Sequence, residues 1–208
     1  MLQFGDFTLK SGRRSPYFFN FGKLTSGTAL RTLAAGYRAV LEQADLIPNV
    51  VFGPAYKGIP LAVAVAMDWA AAGRAVGITY NRKEPKAHGE GGQLVGAALA
   101  GQRVALLDDV LTAGTALREA AQLIKAEGGV LQSVVITMDR RERVRPEPSA
   151  PSAVQALEDE LGVPVRSLLR LEDVLAYLQS TGTGEPNADH GRWHDQLVNY
   201  QAEYCVRT

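Results

Sequence analysis

The 208-residue chain contains one cysteine, Cys205, and no excess of charge, since 22 Lys and Arg balance 22 Asp and Glu. A single cysteine excludes a disulfide framework and favours a reducing compartment. A net charge of zero gives no reason to expect a nucleic acid or an anionic membrane as partner. No apolar run approaches the roughly 20 residues that cross a bilayer, and the N-terminus lacks a signal-peptide pattern. We therefore expect a cytoplasmic protein without nucleic-acid or membrane partners.

Two common phosphate-binding sequences are also missing. The chain has no Gly-Lys-Ser/Thr triplet, which excludes a P-loop. The nearest approach to a dinucleotide-binding fingerprint begins at Gly89 and Gly91, but Leu94 stands where the third glycine is required. Any anion site must therefore be built from other elements.

Short apolar segments alternate with helical patterns through the middle of the chain. The predicted strands are residues 50–52, 76–80, 104–107, 130–138 and 163–168, and predicted helices include residues 28–46, 58–72, 152–161 and 171–179. Such alternation predicts an α/β fold with a central, mostly parallel sheet and helices on both faces. We expect a small strand-rich hood segment at residues 1–27, an α/β core at 28–180 and a C-terminal tail at 181–208.

The most informative segment is residues 106–116, Leu-Leu-Asp-Asp-Val-Leu-Thr-Ala-Gly-Thr-Ala. An apolar strand stops at Asp108 and Asp109, a loop of small and hydroxyl residues follows, and a helical pattern then begins. Backbone N–H groups at such a helix start attract an anion. The carboxylates suit a ligand that also carries hydroxyl groups or a magnesium ion. A ribose 5-phosphate fits both halves, although a well-capped β–α connection remains the alternative.

Two further segments could bind phosphate groups. The turn Ala55-Tyr56-Lys57-Gly58 also joins a strand to a helix, so its N–H groups and Lys57 could hold a second anion such as pyrophosphate. Residues 81–92 are polar and rich in basic side chains and glycine. The alternatives are an ordinary loop with a solvated lysine in the first case and a solvated surface loop in the second.

Other candidate residues have equally plain alternatives. Phe18 and Phe19 could cover a flat ligand or simply fill a core, and Arg140 could pair with a carboxylate or be a surface charge. His190 and His194 would share one face of a helix, but a metal site needs further ligands. We expect those two histidines to lie in an unimportant tail.

Taken together, these segments resemble the orotate phosphoribosyltransferases, a family of type I phosphoribosyltransferases. Residues 106–116 are similar to the motif of that fold which binds phosphoribosyl pyrophosphate (PRPP). The narrower resemblance rests on Phe7-Thr-Leu-Lys-Ser-Gly-Arg-Arg-Ser-Pro-Tyr-Phe-Phe-Asn20, residues 52–60, Asn81-Arg-Lys-Glu-Pro-Lys-Ala-His-Gly-Glu-Gly-Gly92 and Asp139-Arg-Arg-Glu-Arg143. It runs from about Phe4 to about Gln179.

This resemblance implies the type I phosphoribosyltransferase fold and transfer of the 5-phosphoribosyl group from PRPP to orotate. The products would be orotidine 5′-monophosphate and pyrophosphate, in the biosynthesis of UMP, with Mg²⁺ as cofactor and no protein metal ligands. It also implies a homodimer in which residues 81–92 form a lid over the neighbouring subunit's site. A non-proline cis peptide is expected in the 55–58 turn.

The resemblance assigns roles to individual residues. The PRPP-binding residues would be Lys10, Tyr56, Lys57, Arg82, Lys83, Lys86, His88, Asp108, Asp109, Val110, Leu111, Thr112, Ala113, Gly114, Thr115 and Ala116. The orotate-binding residues would be Phe18, Phe19, Thr112 and Arg140. The catalytic residues would be Lys86, His88 and Asp109.

Two rival functions remain open at this point. One is an enzyme of the same fold that uses a purine or another base, and the other is a catalytically silent, regulatory PRPP-binding protein. The sequence also departs from the family pattern in one respect, since the family's hood motif follows a leading helix and here begins almost at Met1. Either the start is truncated or this version lacks that helix.

Overall fold

The computed structural model describes residues 1–9, 11–86, 92–181 and 188–206. The strands are β1 (Leu2–Thr8), β2 (Arg14–Phe19), β3 (Val50–Gly53), β4 (Gly77–Lys86), β5 (Gly92–Gly96), β6 (Arg103–Val110), β7 (Val130–Asp139) and β8 (Val165–Arg170). The helices are α1 (Gly27–Gln43), α2 (Gly58–Ala71), α3 (Thr115–Ala126), α4 (Ala153–Leu161), α5 (Leu171–Thr181) and α6 (Ala188–Tyr204). A short 3-10 helix covers Phe21–Lys23.

Six strands form the central sheet in the order β5-β4-β3-β6-β7-β8. Every neighbouring pair is parallel except β4 and β5, so the expected mostly parallel sheet is confirmed. The antiparallel edge strand β5 was not predicted. In addition, β4 continues to Lys86, so the first half of the expected lid is strand and not loop. Its charged side chains lack the apolar character that would have predicted a strand.

Helices cover both faces of the sheet because the strand residues alternate between them. On one face, α1 and α2 pack against Val51, Ala105 and Leu107. On the other, α3 and α4 pack against Phe52 and Leu106. The side chains that meet there are almost all fully buried, so both faces of the central strands exclude water. The resulting rigid sheet fixes the positions of the loops at its carboxyl edge.

The hood is an antiparallel pair, β1 and β2, and it packs on α5 and α6. Residues 188–204 were predicted to be a tail, and this is wrong for them, since they form α6. The apolar stripe Trp193, Leu197, Tyr200 and Tyr204 has helical spacing, but the polar residues between them hid it.

Within the described ranges, every helix is too short or too polar to cross a bilayer.

Candidate functional site

The site lies where the strand order changes direction. From β3 the chain passes to β4 on one side of the sheet and later to β6 on the other. The carboxyl ends of β3 and β6 are therefore neighbours whose following loops diverge, and ligands of open α/β sheets bind in the crevice between such ends. The loop after β3 carries Tyr56 and Lys57, and the loop after β6 carries residues 111–114.

Asp108 and Asp109 belong to the last residues of β6 and do not follow it, because the strand pairs with β7 as far as Val110. The Asp108 carboxylate accepts a hydrogen bond of 2.9 Å from the backbone N–H of Asp109. Burial raises the pKa of Asp108 to about 7, and the neighbouring charge of Asp109 adds to the effect. The folded protein therefore favours the protonated form of Asp108 more than water does.

A buried hydroxyl pair supports the strand at this point. Tyr37, on α1, donates a hydrogen bond of 2.6 Å to the backbone oxygen of Asp108. Its own oxygen lies 2.7 Å from the hydroxyl of Thr137 on β7. A carbonyl oxygen only accepts, so Tyr37 must donate to it and Thr137 to Tyr37. Tyr37 lies within the predicted helix of residues 28–46, and the sequence gave no signal for this contact.

The loop after β6 presents an open helix start. Gly114 occupies the N-cap position of α3 with φ of 72°, a conformation that suits glycine, and it has no side chain to cap the helix. The first N–H groups of α3 therefore point toward the crevice with the positive end of the helix dipole. Arg118 steadies the loop, because its guanidinium donates to the backbone oxygen of Ala113 and to Glu160.

The side chains of this loop differ in what they can contact. Thr112, Ala113, Thr115 and Ala116 are exposed beside the open helix start. The side chains of Val110 and Leu111 instead pack into hydrophobic clusters. Of the residues that were expected to bind PRPP here, those two can therefore offer only their backbone to a ligand.

The turn after β3 is held by close backbone packing. A methyl group on Gly53 would lie 2.1 Å from the backbone oxygen of Gly58, so only glycine fits. The Ala55–Tyr56 peptide is cis, as expected for this turn. Asn81, on β4, accepts a hydrogen bond of 3.0 Å from the N–H of Ala55. Asn81 was not among the predicted site residues, although a polar residue directly after the predicted strand 76–80 could have indicated it.

Two basic side chains reach toward this part of the site. Lys57 lies at the start of α2, and its Nζ is 2.7 Å from Oδ2 of Asp109. The Nζ of Lys83, on β4, lies 4.9 Å from the ring centroid of Tyr56, which is 67% exposed. The crevice therefore brings together the turn after β3, the aspartates of β6 and the outer part of β4.

The predicted lid is described only in part. Arg82 donates a hydrogen bond of 3.1 Å to the backbone oxygen of Gly92, which joins β4 to β5. Lys86 ends β4, but its side chain is outside the described part of the structure. Lys10 and His88 lie outside the described residues altogether.

The two hood aromatics have different surroundings. Phe19 is buried in the cluster that joins the hood to α5 and α6. Phe18 is 37% exposed and has its ring centroid 5.5 Å from that of Phe7. Side chains alternate along a strand, so Phe18 faces away from the side of β2 that carries Tyr17. Of the two, only Phe18 is exposed to a ligand.

Arg140 follows β7 and lies on the opposite side of β2 from Phe18. Its guanidinium donates to Glu142 at 2.5 Å and to the hydroxyl of Ser15 at 2.9 Å. It also stacks over the ring of Tyr17, with Cζ 4.2 Å from the centroid. Arg140 is only 8% exposed, so it is not an ordinary surface charge.

No group of three or more His, Cys, Asp or Glu side chains is placed to hold a metal ion within the described ranges. Asp108 and Asp109 nevertheless suit Mg²⁺, because this ion binds one or two carboxylates and completes its shell with water and substrate phosphates. The pair therefore suits a metal ion that enters bound to a polyphosphate better than a metal ion that the protein alone would hold.

Comparisons with known proteins agree with this architecture. The family model of the phosphoribosyl transferase domain matches residues 25–168. The orotate phosphoribosyltransferase of Xanthomonas oryzae pv. oryzae is 47% identical, over 100% of this chain and 91% of the relative. That of Stenotrophomonas maltophilia is 46% identical over the same shares.

Solved structures show the same likeness. A crystal structure of orotate phosphoribosyltransferase from Francisella tularensis superposes with a TM-score of 0.82 at 33% identity, covering 99% of this chain and 94% of that one. The Mycobacterium tuberculosis enzyme in complex with PRPP gives a TM-score of 0.61 at 28% identity, covering 81% and 88% of the two chains. With the crevice, the acidic pair and a match along its whole length, the chain belongs to the orotate phosphoribosyltransferase family.

Proposed function

We propose that this chain transfers the 5-phosphoribosyl group from PRPP to orotate, giving orotidine 5′-monophosphate and pyrophosphate. The bond between C1 of the ribose and pyrophosphate breaks, and a bond between C1 and a ring nitrogen of orotate forms. The observation that carries the proposal is the crevice in which the Asp108–Asp109 pair, the open start of α3 and Lys57 converge. Such a site matches a ligand with hydroxyl groups between two phosphate groups.

The ribose and its 5′-phosphate would occupy the β6 side of the crevice. Asp108 and Asp109 accept the ribose hydroxyls, and charge-assisted bonds of this kind are the strong ones. The loop from Thr112 to Thr115 receives the 5′-phosphate on its N–H groups, since the helix dipole favours an anion there. The hydrogen bonds from the Tyr37 hydroxyl to the backbone oxygen of Asp108 and from the Asp109 N–H to the Asp108 carboxylate hold this geometry before the ligand arrives.

The pyrophosphate group would occupy the β3 side. Tyr56 and Lys57 bind it from the turn, and Arg82, Lys83, Lys86, His88 and Lys10 supply further donors. Negative charge grows on pyrophosphate as it leaves, while C1 becomes positive, so fixed cations stabilise the departing group. Mg²⁺, brought by PRPP beside Asp108 and Asp109, would supply additional positive charge when bound.

Orotate would bind between the hood and the core. Phe18 would cover the ring from the hood, the buried Phe19 would anchor the same strand to α5 and α6, and Thr112 would border the base. The guanidinium of Arg140 has five N–H donors. Three of them serve Glu142, Ser15 and Tyr200. We assign the two N–H groups of Nη1 to the carboxylate of orotate.

The lid and the oligomer complete the proposal. Residues 81–92 close over the bound pyrophosphate and exclude water, which would otherwise hydrolyse PRPP. The lid would serve the neighbouring subunit of a homodimer. Lys83 contacts Tyr56 of its own chain, so the base of the lid stays with its own subunit while the tip could reach across.

One assay tests the reaction directly. The absorbance of orotate should fall when PRPP and Mg²⁺ are added, and adenine, hypoxanthine and uracil should not replace it. Family membership at 47% identity over the whole chain disfavours the silent regulatory protein that the sequence left open. PRPP binding without loss of orotate would reverse that conclusion.

A further inference from the structure

We propose that Tyr200 on α6 is a positioning residue for the recognition of orotate, acting by holding the guanidinium of Arg140. The inference rests on the proposed function, because it assumes that Arg140 meets the carboxylate of the base. It gives the C-terminal helix, which the sequence presented as an inert tail, a part in substrate choice.

The contacts of Arg140 leave its guanidinium little freedom. Nη2 donates to the hydroxyls of Ser15 at 2.9 Å and Tyr200 at 3.2 Å, while Nε donates to Glu142 at 2.5 Å. The ring of Tyr17 stacks against the plane of the Arg140 guanidinium. Hydrogen bonds at Nε and Nη2 fix the plane of the guanidinium and its orientation within that plane. The direction of Nη1 is therefore also fixed. A guanidinium that is held in this way can pair with a carboxylate without first losing rotamer freedom.

Tyr200 also holds Glu142, the partner of Arg140. The phenol donates to Oε1 of Glu142 at 2.6 Å, and Arg13 donates to Oε2 at 3.1 Å. One carboxylate thus faces two guanidinium groups, which leaves one positive charge for a substrate carboxylate. Burial and the charge of Glu142 raise the pKa of Tyr200, so the phenol keeps its proton and remains a donor.

The end of α6 is joined to the segment that follows Arg140, which fixes where Tyr200 stands. The N–H of Arg143 donates to the backbone oxygen of Tyr204 at 2.9 Å, and the N–H of Val206 donates to that of Arg141 at 3.0 Å. Leu197, one turn before Tyr200, is fully buried in the cluster that joins the hood to α5 and α6. The Tyr200 hydroxyl is therefore held beside Arg140 by a helix that is packed against the rest of the protein.

Tyr200→Phe tests the proposal, because it keeps the ring and removes only the hydroxyl. The probes are orotidine 5′-monophosphate and uridine 5′-monophosphate, which differ only in the carboxylate, and their affinities are measured by calorimetry. We expect the affinity for orotidine 5′-monophosphate to fall about tenfold, as for loss of a hydrogen bond to a charged group. The affinity for uridine 5′-monophosphate should change by less than about twofold, since Arg140 has no carboxylate to meet there.

Tyr204→Phe is the matched control. Its ring centroid lies 5.0 Å from that of Tyr200 on the same helix, but the structure records no bond from its hydroxyl to Arg140 among the described residues. It should leave both affinities unchanged. Ser15→Ala removes the other hydroxyl from Nη2 and should repeat the selective loss, which keeps the proposal testable if Tyr200→Phe folds poorly.

Three results would overturn the proposal: no change in Tyr200→Phe, an equal loss for both nucleotides, or the same loss in Tyr204→Phe. The equal loss would mean that Tyr200 only stabilises the hood. Failure of the proposed function gives a different result, because the unaltered protein would then bind the two nucleotides equally well. Comparing the two nucleotide affinities of the unaltered protein therefore distinguishes failure of the proposed function from failure of the role of Tyr200.

Discussion

The ammonium of Lys57 and the carboxylate of Asp109 lie 2.7 Å apart and join the turn after β3 to the end of β6 across the crevice. The Lys57 side chain is 60% exposed, whereas that of Asp109 is 9% exposed. The lysine therefore balances one of the two aspartate charges from the solvent side. A polyphosphate entering the crevice would meet a cation there and not two unpaired carboxylates.

Replacing Lys57 by Gln should weaken PRPP binding while leaving the fold intact. We expect a roughly tenfold loss, the low end for a bond from a charged group, because the lysine is exposed and partly screened by water. Calorimetry with PRPP and Mg²⁺ measures the change. Lys125→Gln, on the exposed side of α3, is the control. Equal affinities for Lys57→Gln and the control would contradict a role for Lys57 in the pyrophosphate site.

Replacing both Asp108 and Asp109 by Asn keeps the side-chain volumes and removes the charges. PRPP binding should weaken by several kcal/mol, because each charge-assisted bond contributes ~1.5–3 kcal/mol. Calorimetry on the folded double variant is the measurement, with the exposed Asp159→Asn as control. Unchanged affinity would remove these carboxylates from the ribose site.

Asp108 should make folding stability depend on pH. Its pKa in the folded protein is about 7, above the ordinary value of 3.8, so the folded chain retains a proton that the unfolded chain releases. Its contribution is present in full below the ordinary pKa and is lost as pH rises through the folded value. Between about pH 4 and pH 7, Asp108→Asn should gain stability relative to the wild type, by a few kcal/mol at most.

Urea unfolding of both proteins across this range tests the pH effect. The two stability profiles should diverge up to about pH 7 and then run parallel. Profiles that are parallel throughout would mean that Asp108 ionises normally in the folded protein.

Replacing Arg140 by Ala should raise the KM for orotate and leave that for PRPP nearly unchanged. The variant should also melt at a lower temperature. The half-buried Glu142 pairs with the guanidinium groups of Arg13 and Arg140, and the substitution removes the second of them. Steady-state kinetics with each substrate varied in turn measures the first effect. An equal rise in both KM values would show that Arg140 only holds the hood to the core.

If the lid closes only over bound substrates, as we propose, replacing Lys86 by Ala should act mainly on the transition state. We expect kcat to fall by roughly 10²–10³-fold, as for loss of one preorganised electrostatic donor, with a smaller effect on PRPP binding. Single-turnover kinetics and calorimetry separate the two quantities. A large loss of affinity with kcat unchanged would place Lys86 in ground-state binding.

The same variant tests whether the lid is shared between subunits. Mixing Lys86→Ala chains with chains altered at Asp108 and Asp109 should restore activity, because one site of a mixed dimer combines intact aspartates with an intact lid. The other site carries both defects, so up to about half of the normal activity per mixed dimer should return. An inactive mixture with proven subunit exchange would assign each lid to its own subunit.

The sheet and the acidic loop could be predicted because their signals are local. Apolar strands alternate with helices, and residues 106–116 carry their strand end, loop and helix start in one continuous segment. The exact end of β6 could not be predicted, because Asp108 and Asp109 lack β propensity and are kept in the strand by pairing with β7. Tertiary pairing overrode the local preference.

The surroundings of Arg140 could not be predicted because they are assembled from distant parts of the chain. Ser15 is 125 residues away from Arg140 and Tyr200 is 60 residues away. A single sequence contains no signal for such contacts, so the sequence left Arg140 either as a partner for a carboxylate or as a surface charge. The stripe on α6 was visible in principle, but its polar neighbours and the preceding Gly- and Pro-containing linker obscured it.

The packing of β1 and β2 on α6 has a consequence for protein synthesis. Tyr17 and Phe19 leave the ribosome early, whereas Leu197 and Tyr200, which bury them, are made only after the whole parallel sheet. The hood therefore lacks the surface that buries it until α6 has been made, when all strands of the sheet are already present. A nascent chain arrested before α6 could therefore hold PRPP on a finished crevice and still be unable to choose a base.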